Sequence, residues 1–125
     1  MRMVESAIPI TIYVDNQEIA RGYFRRSIAP LTVVKLMDLL PIQGHIFYLG
    51  NIAYIIINVR LPPENSTKEL KQGSLFYWPM GRGFGVSLKT HTFRYNVNLI
   101  GEITEGLENL TKVKRSALIR VDKSK

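Results

Sequence analysis

Hydrophobic and polar residues alternate in several short stretches of the chain, and this spacing of two predicts β-strands with one buried face. Residues 7–14 place isoleucine or valine at every second position from Ile8 to Val14. A polar turn follows at Asp15 and Asn16, so residues 18–25 are expected to return as the second strand of a hairpin. Further strands are predicted at 74–78, 84–90, 96–104 and 117–121 and, as a pair about a turn at Gly50 and Asn51, within 45–60.

The hydrophobic spacing changes at residues 30–40, which predict a helix. Apolar residues there recur at the intervals of one helical stripe, at Val33, Leu36, Met37 and Leu40. Pro30 suits the first turn, where its missing N–H is not needed. Pro41 ends the helix, because the residue before a proline is disfavoured in the α conformation. Leucines at helical spacing within 106–113 predict a second, shorter helix.

The order of these elements predicts the fold class. Because the strands come in runs and do not alternate with helices, a doubly wound parallel sheet is disfavoured. We expect a mainly β fold: a closed, eight-stranded, mostly antiparallel barrel with one three-turn helix and one short helix, since closure removes exposed strand edges. The 125 residues are one domain's length, so a single domain is expected over 1–125, with a basic C-terminal end at 112–125.

The net charge of +7 is concentrated in that end. Residues 112–125 hold six lysines and arginines and one aspartate, which gives +5 and leaves +2 for residues 1–111. A run of this kind is typical of a solvated end that favours solubility. Binding of nucleic acid through it remains a further alternative, although we expect no nucleic-acid partner.

Composition narrows the chemistry further. The chain has no cysteine, which excludes disulfides, cysteine-ligated zinc and thiol nucleophiles. The longest apolar run, 52–57, is far shorter than a membrane span, and no secretory signal is evident, so we expect a cytoplasmic protein without a membrane partner. The two histidines, His45 and His91, have no evident ligand companions. The sequence therefore predicts no metal, no cofactor and no catalytic residues, and it leaves the oligomeric state open.

Three motifs in order carry a family resemblance. They are Ala29-Pro30-Leu31-Thr32-Val33, Tyr77-Trp78-Pro79-Met80-Gly81 with the glycine-rich stretch that follows it, and residues 98–110, which lead through Gly101 into the short helix. Together they resemble cyclophilins, and more closely the small prokaryotic and archaeal cyclophilin-like proteins of uncharacterised function. The resemblance spans about residues 8–121 and implies an eight-stranded barrel closed by two helices.

The resemblance does not extend to prolyl isomerase chemistry. In cyclophilins an arginine on the strand after the first helix polarises the prolyl carbonyl, and the corresponding strand here reads Tyr54-Ile55-Ile56. The predicted function is therefore a module that binds a peptide or small ligand, without ordinary isomerase activity. A divergent peptidyl-prolyl isomerase with a relocated donor, Arg82 or Arg94, is the alternative.

Candidate ligand-binding residues come from the aromatic middle of the chain. The hypothesis is a shallow apolar groove rimmed by two arginines and suited to a peptide or small ligand with an anionic group. The competing interpretation is that these aromatic residues form the core and edge of the barrel. The glycines at 81–85 precede a predicted strand, which favours a tight turn or a close backbone approach over a dinucleotide motif. The candidates are Tyr54, Trp78, Arg82, Phe84, Leu88, Phe93 and Arg94.

Overall fold

The computed structural model describes residues 7–125, which contain ten strands and two helices joined by turns and loops. The helices are α1 (Pro30–Leu39) and α2 (Leu107–Leu110). The strands are β1 (Ala7–Val14), β2 (Gln17–Arg25), β3 (Ile42–His45), β4 (Phe47–Leu49), β5 (Ile52–Ile56), β6 (Thr67–Leu70), β7 (Ser74–Trp78), β8 (Gly83–Ser87), β9 (His91–Glu105) and β10 (Leu118–Lys123).

The strands form one antiparallel sheet in the order β3-β10-β1-β2-β9-β7-β8-β5-β4, with β6 paired to β9 beside this path. The mainly β, antiparallel class and the two helices are confirmed. The two ends of the path, β3 and β4, follow each other in the chain and are joined by Ile46. Its N–H donates to the Ala117 carbonyl at 2.9 Å, and its carbonyl accepts from the Ser116 N–H at 3.0 Å. Hydrogen bonds do not close the sheet into a ring, so the closed barrel is not confirmed.

The predicted number of eight strands is wrong, because ten are present among residues 7–125. β3 is only four residues long and contains Gly44, so no alternating pattern marks it. β6 lies in a segment where the sequence predicts no strand, and it buries only Leu70. The strand expected over 96–104 begins earlier, at His91, and the strand expected over 84–90 ends at Ser87.

The main core lies between α1 and the inner face of the sheet. Tyr77 is fully buried there, and its hydroxyl accepts from the Leu61 N–H at 3.1 Å and donates to the Val59 carbonyl at 2.9 Å. Phe24 and Phe84 meet edge to face with ring centroids 6.0 Å apart. Other fully or almost fully buried members include Ile10, Val33, Leu36, Leu75, Ile100 and Val121.

A carboxylate from a distant loop caps the start of α1. Glu64 accepts from the N–H groups of Leu31 at 3.0 Å and Thr32 at 2.8 Å, and from the Thr32 hydroxyl at 2.7 Å. Asn98, which is completely buried, accepts from the Glu64 N–H and donates to the Thr32 hydroxyl and the Pro62 carbonyl. The threonine of the Ala-Pro-x-Thr-Val motif therefore ties α1 to both the loop and β9.

The pH dependence of stability tests this cap. Partial burial by itself raises the pKa of Glu64, but the hydrogen bonds from Thr32 and from the two backbone N–H groups outweigh burial and hold it below 4.5. A lowered pKa in the folded protein contributes stability above the unfolded value, and that stability is lost as the pH falls through the folded value. Glu64→Gln is expected to lower the free energy of unfolding by about 1 kcal/mol at neutral pH.

Urea denaturation of both proteins at a series of pH values checks this prediction. The gap between wild type and Glu64→Gln should close as the pH falls below about 4.5, because protonated Glu64 then resembles glutamine. Glu69→Gln is the control, since Glu69 accepts only from the exposed Thr92 hydroxyl and should stay close to wild type throughout. A gap for Glu64→Gln that does not change with pH would contradict the cap.

Candidate functional site

A second apolar layer lies on the outer face of the sheet and forms the candidate site. Along β7 every residue from Leu75 to Trp78 is buried, because alternate side chains enter opposite layers. Leu75 and Tyr77 belong to the main core, whereas Phe76 and Trp78 point to the outer layer. We call the rings of this layer the aromatic cluster; they belong to Tyr54, Phe76, Trp78, Phe93 and Tyr95.

Trp78, the single tryptophan of the chain, lies at the centre of the aromatic cluster. Its ring centroid is 5.4 Å from that of Phe93 in an edge-to-face contact and 5.4 Å from that of Tyr95 in a stacked one. Tyr54 meets it edge to face at 5.6 Å, and Phe76 lies 6.2 Å from Phe93. Such pairs stabilise a fold by about 0.5–1.5 kcal/mol each beyond the area that they bury.

β9 covers the aromatic cluster because it pairs both with the main sheet, through β2 and β7, and with β6 on the outer face. Its later residues pair with β7 through the register from Leu75↔Gly101 to Tyr77↔Asn98. Its first residues pair with β6, with Thr67 opposite Val97 and Leu70 opposite His91. Leu70 and Val97 are buried against the rings, so β6 and the start of β9 form a ribbon over the outer face of the sheet.

Alternate glycines of the 81–85 stretch make room for the rings. A Cβ atom on Gly81 would lie 2.6 Å from Cε3 of Trp78, and one on Gly85 would lie 2.7 Å from Cζ of Phe76. At Gly83 the nearest atom, Cδ2 of Tyr54, would be 3.3 Å away. These glycines therefore permit the close backbone approach that the sequence indicates.

The candidate ligand-binding residues fall into three places. Tyr54, Trp78 and Phe93 lie together in the aromatic cluster. Phe84 points into the main core, and Leu88 packs against that same core. The two arginines are exposed and lie in different segments, one in the turn before β8 and one in β9.

A groove of about 310 Å³ opens beside the aromatic cluster. One wall is the turn between β4 and β5, and the other is the start of β9. Of the candidate residues, only Phe93 and Arg94 line it. The residues that line the groove are Leu49, Gly50, Asn51, His91, Phe93, Arg94 and Tyr95.

Arg94 is the one permanently charged residue that lines the groove. Its guanidinium carbon lies 5.8 Å from the centroid of the Tyr95 ring. Within residues 7–125 it forms none of the ion pairs, which join Arg21 to Glu18, Arg25 to Glu102 and Arg120 to Asp122. Its charge is therefore left to the solvent or to a ligand.

His91 is fixed by the turn that precedes β9. Its Nδ1 lies 2.7 Å from the Lys89 carbonyl oxygen, which can only accept, so Nδ1 carries the proton. The Ser87 hydroxyl donates to the same carbonyl at 2.6 Å. Nε2 of His91 is buried without a hydrogen-bond partner, as is Nε1 of Trp78. Because Nδ1 is a donor, the Ser87–His91 pair, 3.3 Å apart, does not have the arrangement of a nucleophile and its base.

Five groove residues are absent from the sequence-based candidates, one of them Gly50 in the turn between β4 and β5. Tyr95 could have been added from its spacing of two from Phe93 on the same strand. Leu49, Asn51 and His91 carry no such signal, because their proximity to Phe93 depends on how distant segments of the chain pack together.

Residues 7–125 contain no cluster of three metal-binding side chains. None of the helices in that range is long and apolar enough to cross a membrane.

The interpretation of 112–125 as a solvated end is corrected for its second half. Residues 118–123 form β10, which lies between β3 and β1. Arg120 stacks over Tyr13 at 4.1 Å from the ring centroid and pairs with Asp122 at 3.5 Å. Positive charge remains exposed in the loop before β10, at Lys112, Lys114 and Arg115.

The sequence and the fold agree on a family assignment. The family model described as Cyclophilin-like matches residues 8–122. The chain therefore belongs to the cyclophilin-like family, which confirms the resemblance found in its motifs. No curated protein gives a match.

Solved structures similar to this chain include the following two. The hypothetical protein AF2241 from Archaeoglobus fulgidus superposes with a TM-score of 0.79 and 23% identity, over 99% of this chain and 100% of that one. McbB, solved in complex with tryptophan, gives a TM-score of 0.75 and 16% identity over 92% of this chain and 44% of that one. At these identities the likeness shows the fold alone.

Substitution of the β8 glycines tests the packing of the aromatic cluster. Gly85→Ala is expected to lower the free energy of unfolding by about 1–3 kcal/mol, because overpacking forces side chains and backbone to shift. The new Cβ would lie 2.7 Å from Phe76 Cζ and 2.9 Å from the Ala53 carbonyl oxygen. Gly83→Ala is the matched control on the same face, with its nearest atoms at 3.3 and 3.4 Å. Equal losses for the two variants in urea denaturation would contradict this account.

Proposed function

We propose that the protein is a binding module that takes a peptide or a small ligand at the groove and the adjoining aromatic cluster, without ordinary prolyl isomerase activity. The observation that carries the proposal is the groove itself, in which aromatic rings meet one unpaired cation. Ligand sites in proteins typically combine such an apolar wall with few polar groups. Rings already packed against one another cost little to order when a ligand arrives.

The absence of isomerase activity is proposed from the position of Ile56. It stands on β5 at the position aligned with the arginine of cyclophilins, and the residue is 55% exposed. An aliphatic side chain cannot donate a hydrogen bond to a prolyl carbonyl, and stabilising developing charge is the main lever for such a reaction. Arg82, one candidate for a relocated donor, does not line the groove.

McbB supplies a limited precedent. Its solved complex contains tryptophan, so one protein with a similar fold holds an aromatic small molecule. At 16% identity no residue of that site transfers to this chain, and the precedent supports only the class of function.

Titration with a blocked peptide tests the proposal. Labelled protein and acetyl-Ala-Ala-Pro-Ala amide would be followed by NMR, with chemical shifts and cis–trans exchange of the peptide read in the same experiment. We expect shifts at 49–51, 91–95 and Trp78, whose indole also provides a fluorescence signal, and no acceleration of exchange. Accelerated exchange would replace the binding module with an enzyme, and Arg94→Ala and Arg82→Ala would then locate the donor.

A matched pair of exposed leucines provides the control for binding. Leu49, on the wall of the groove, and Leu118, on β10, are 45% and 46% exposed, so truncating either should change stability little. Leu49→Ala is expected to weaken peptide binding severalfold, and Leu118→Ala to leave it unchanged. If neither the peptide nor small aromatic fragments shift the groove residues, the proposed function is wrong.

A further inference from the structure

We infer that the ligand of the groove is an aromatic monocarboxylate: a flat apolar ring that lies against Tyr95 and Phe93 and carries a carboxylate that pairs with Arg94. This inference rests on the proposed function, because it names the ligand class for the same groove.

The charge of the groove selects an anion. Arg94 is the only permanently charged residue in the lining, and no aspartate or glutamate lines the groove with it. The nearest carboxylate along the ribbon, on Glu69, is opposite Thr92 and accepts from its hydroxyl. An arginine without an acidic partner inside a groove favours a ligand that supplies one.

A single cation favours a carboxylate over a phosphate. A guanidinium can bind either group in a bidentate manner, but sites for a dianionic phosphate gather several donors, such as a second cation or a nest of backbone N–H groups. The other polar residues of the lining are Asn51, Tyr95 and His91, and the Nδ1 proton of His91 is already donated to the Lys89 carbonyl. One cation therefore matches one negative charge.

The walls of the groove favour an aromatic ring beside that charge. Tyr95 is partly exposed and stacks on Trp78 through one face, with ring planes at 28°. The Arg94 guanidinium lies 5.8 Å from the centre of the same ring, so a group attached to a ring at Tyr95 is within reach of it. Leu49 forms the apolar wall opposite, and at Gly50 no atom lies within 4 Å of the Cβ position, which leaves open space there.

Three probes separate the ring from the charge. They are 2-naphthoate, 2-naphthamide with the same ring and no charge, and hexanoate with the charge and no ring. Dissociation constants from NMR titration should rank 2-naphthoate as the tightest, with shifts at 49–51 and 91–95. Arg94→Gln should weaken 2-naphthoate about fivefold and leave 2-naphthamide unchanged, because an exposed ion pair is partly screened by solvent. Arg82→Gln, which removes an equal charge outside the groove, should change neither.

The outcomes distinguish this inference from the proposed function. Equal affinity for 2-naphthoate and 2-naphthamide, or loss of 2-naphthoate affinity in Arg82→Gln as large as in Arg94→Gln, would overturn the ligand class. Binding of the blocked peptide at the groove with no response to 2-naphthoate would also overturn it, while the proposed function stands. If neither the three probes nor the peptide change the chemical shifts of the groove residues, both the ligand class and the proposed function are wrong.

Discussion

The outer layer of the structure depends on the absence of side chains along one face of β8. Gly83 and Gly85 leave the backbone of that strand without side chains on this face, so the rings of Phe76 and Trp78 pack directly against the backbone. At Gly85 the fit leaves no room for a methyl group beside the Phe76 ring and the Ala53 carbonyl. Protein interiors are packed so closely that one added methyl group displaces its neighbours. The bare backbone at Gly85 therefore sets the position of the aromatic cluster.

Rings placed in this way require a cover, since a sheet with two apolar faces needs a second layer. The ribbon of β6 and the start of β9 supplies it, and the length of β9, from His91 to Glu105, allows one strand to pair in both layers. The groove opens at the end of this ribbon, where β9 begins at His91 beside the turn between β4 and β5. Each wall of the groove, the start of β9 and the turn between β4 and β5, therefore packs against the protein on one side and faces the groove on the other.

Much of this architecture is encoded locally and could be predicted. The stripe of α1 with prolines at both ends, and the alternation in β1 and β2, lie within single segments of the chain. The glycines at 81, 83 and 85 indicate a close approach of the backbone, and their spacing of two also predicts the direction of the residue between them. If those positions face the rings, Phe84 must face the other way, since side chains alternate along a strand. Its place in the main core follows from that parity, which the sequence interpretation of Phe84 as a groove residue overlooked.

The rest depends on contacts between distant segments. β3 and β6 are short and bury few side chains, so they form because partner strands lie beside them and not because of their own pattern. The groove joins residues near 50 to residues near 93, about forty positions apart, and no pattern in either segment predicts that the two lie together. Glu64, likewise, caps α1 from a loop more than thirty residues away, whereas a cap from the residue before the helix would have been visible in the sequence.

The chemistry of the site follows from the same placement. Catalysis of an amide rotation calls for a donor fixed in a dry environment, where its charge is worth most. Arg94 is exposed and rests near Tyr95, so water screens its charge, and a screened charge contributes more to steering and specificity than to the stabilisation of a transition state. The Ser87 hydroxyl and Nδ1 of His91 donate hydrogen bonds to the Lys89 carbonyl, so both of these donors are already engaged. What the groove offers is an aromatic wall and one positive charge, and the proposed binding function rests on these two features.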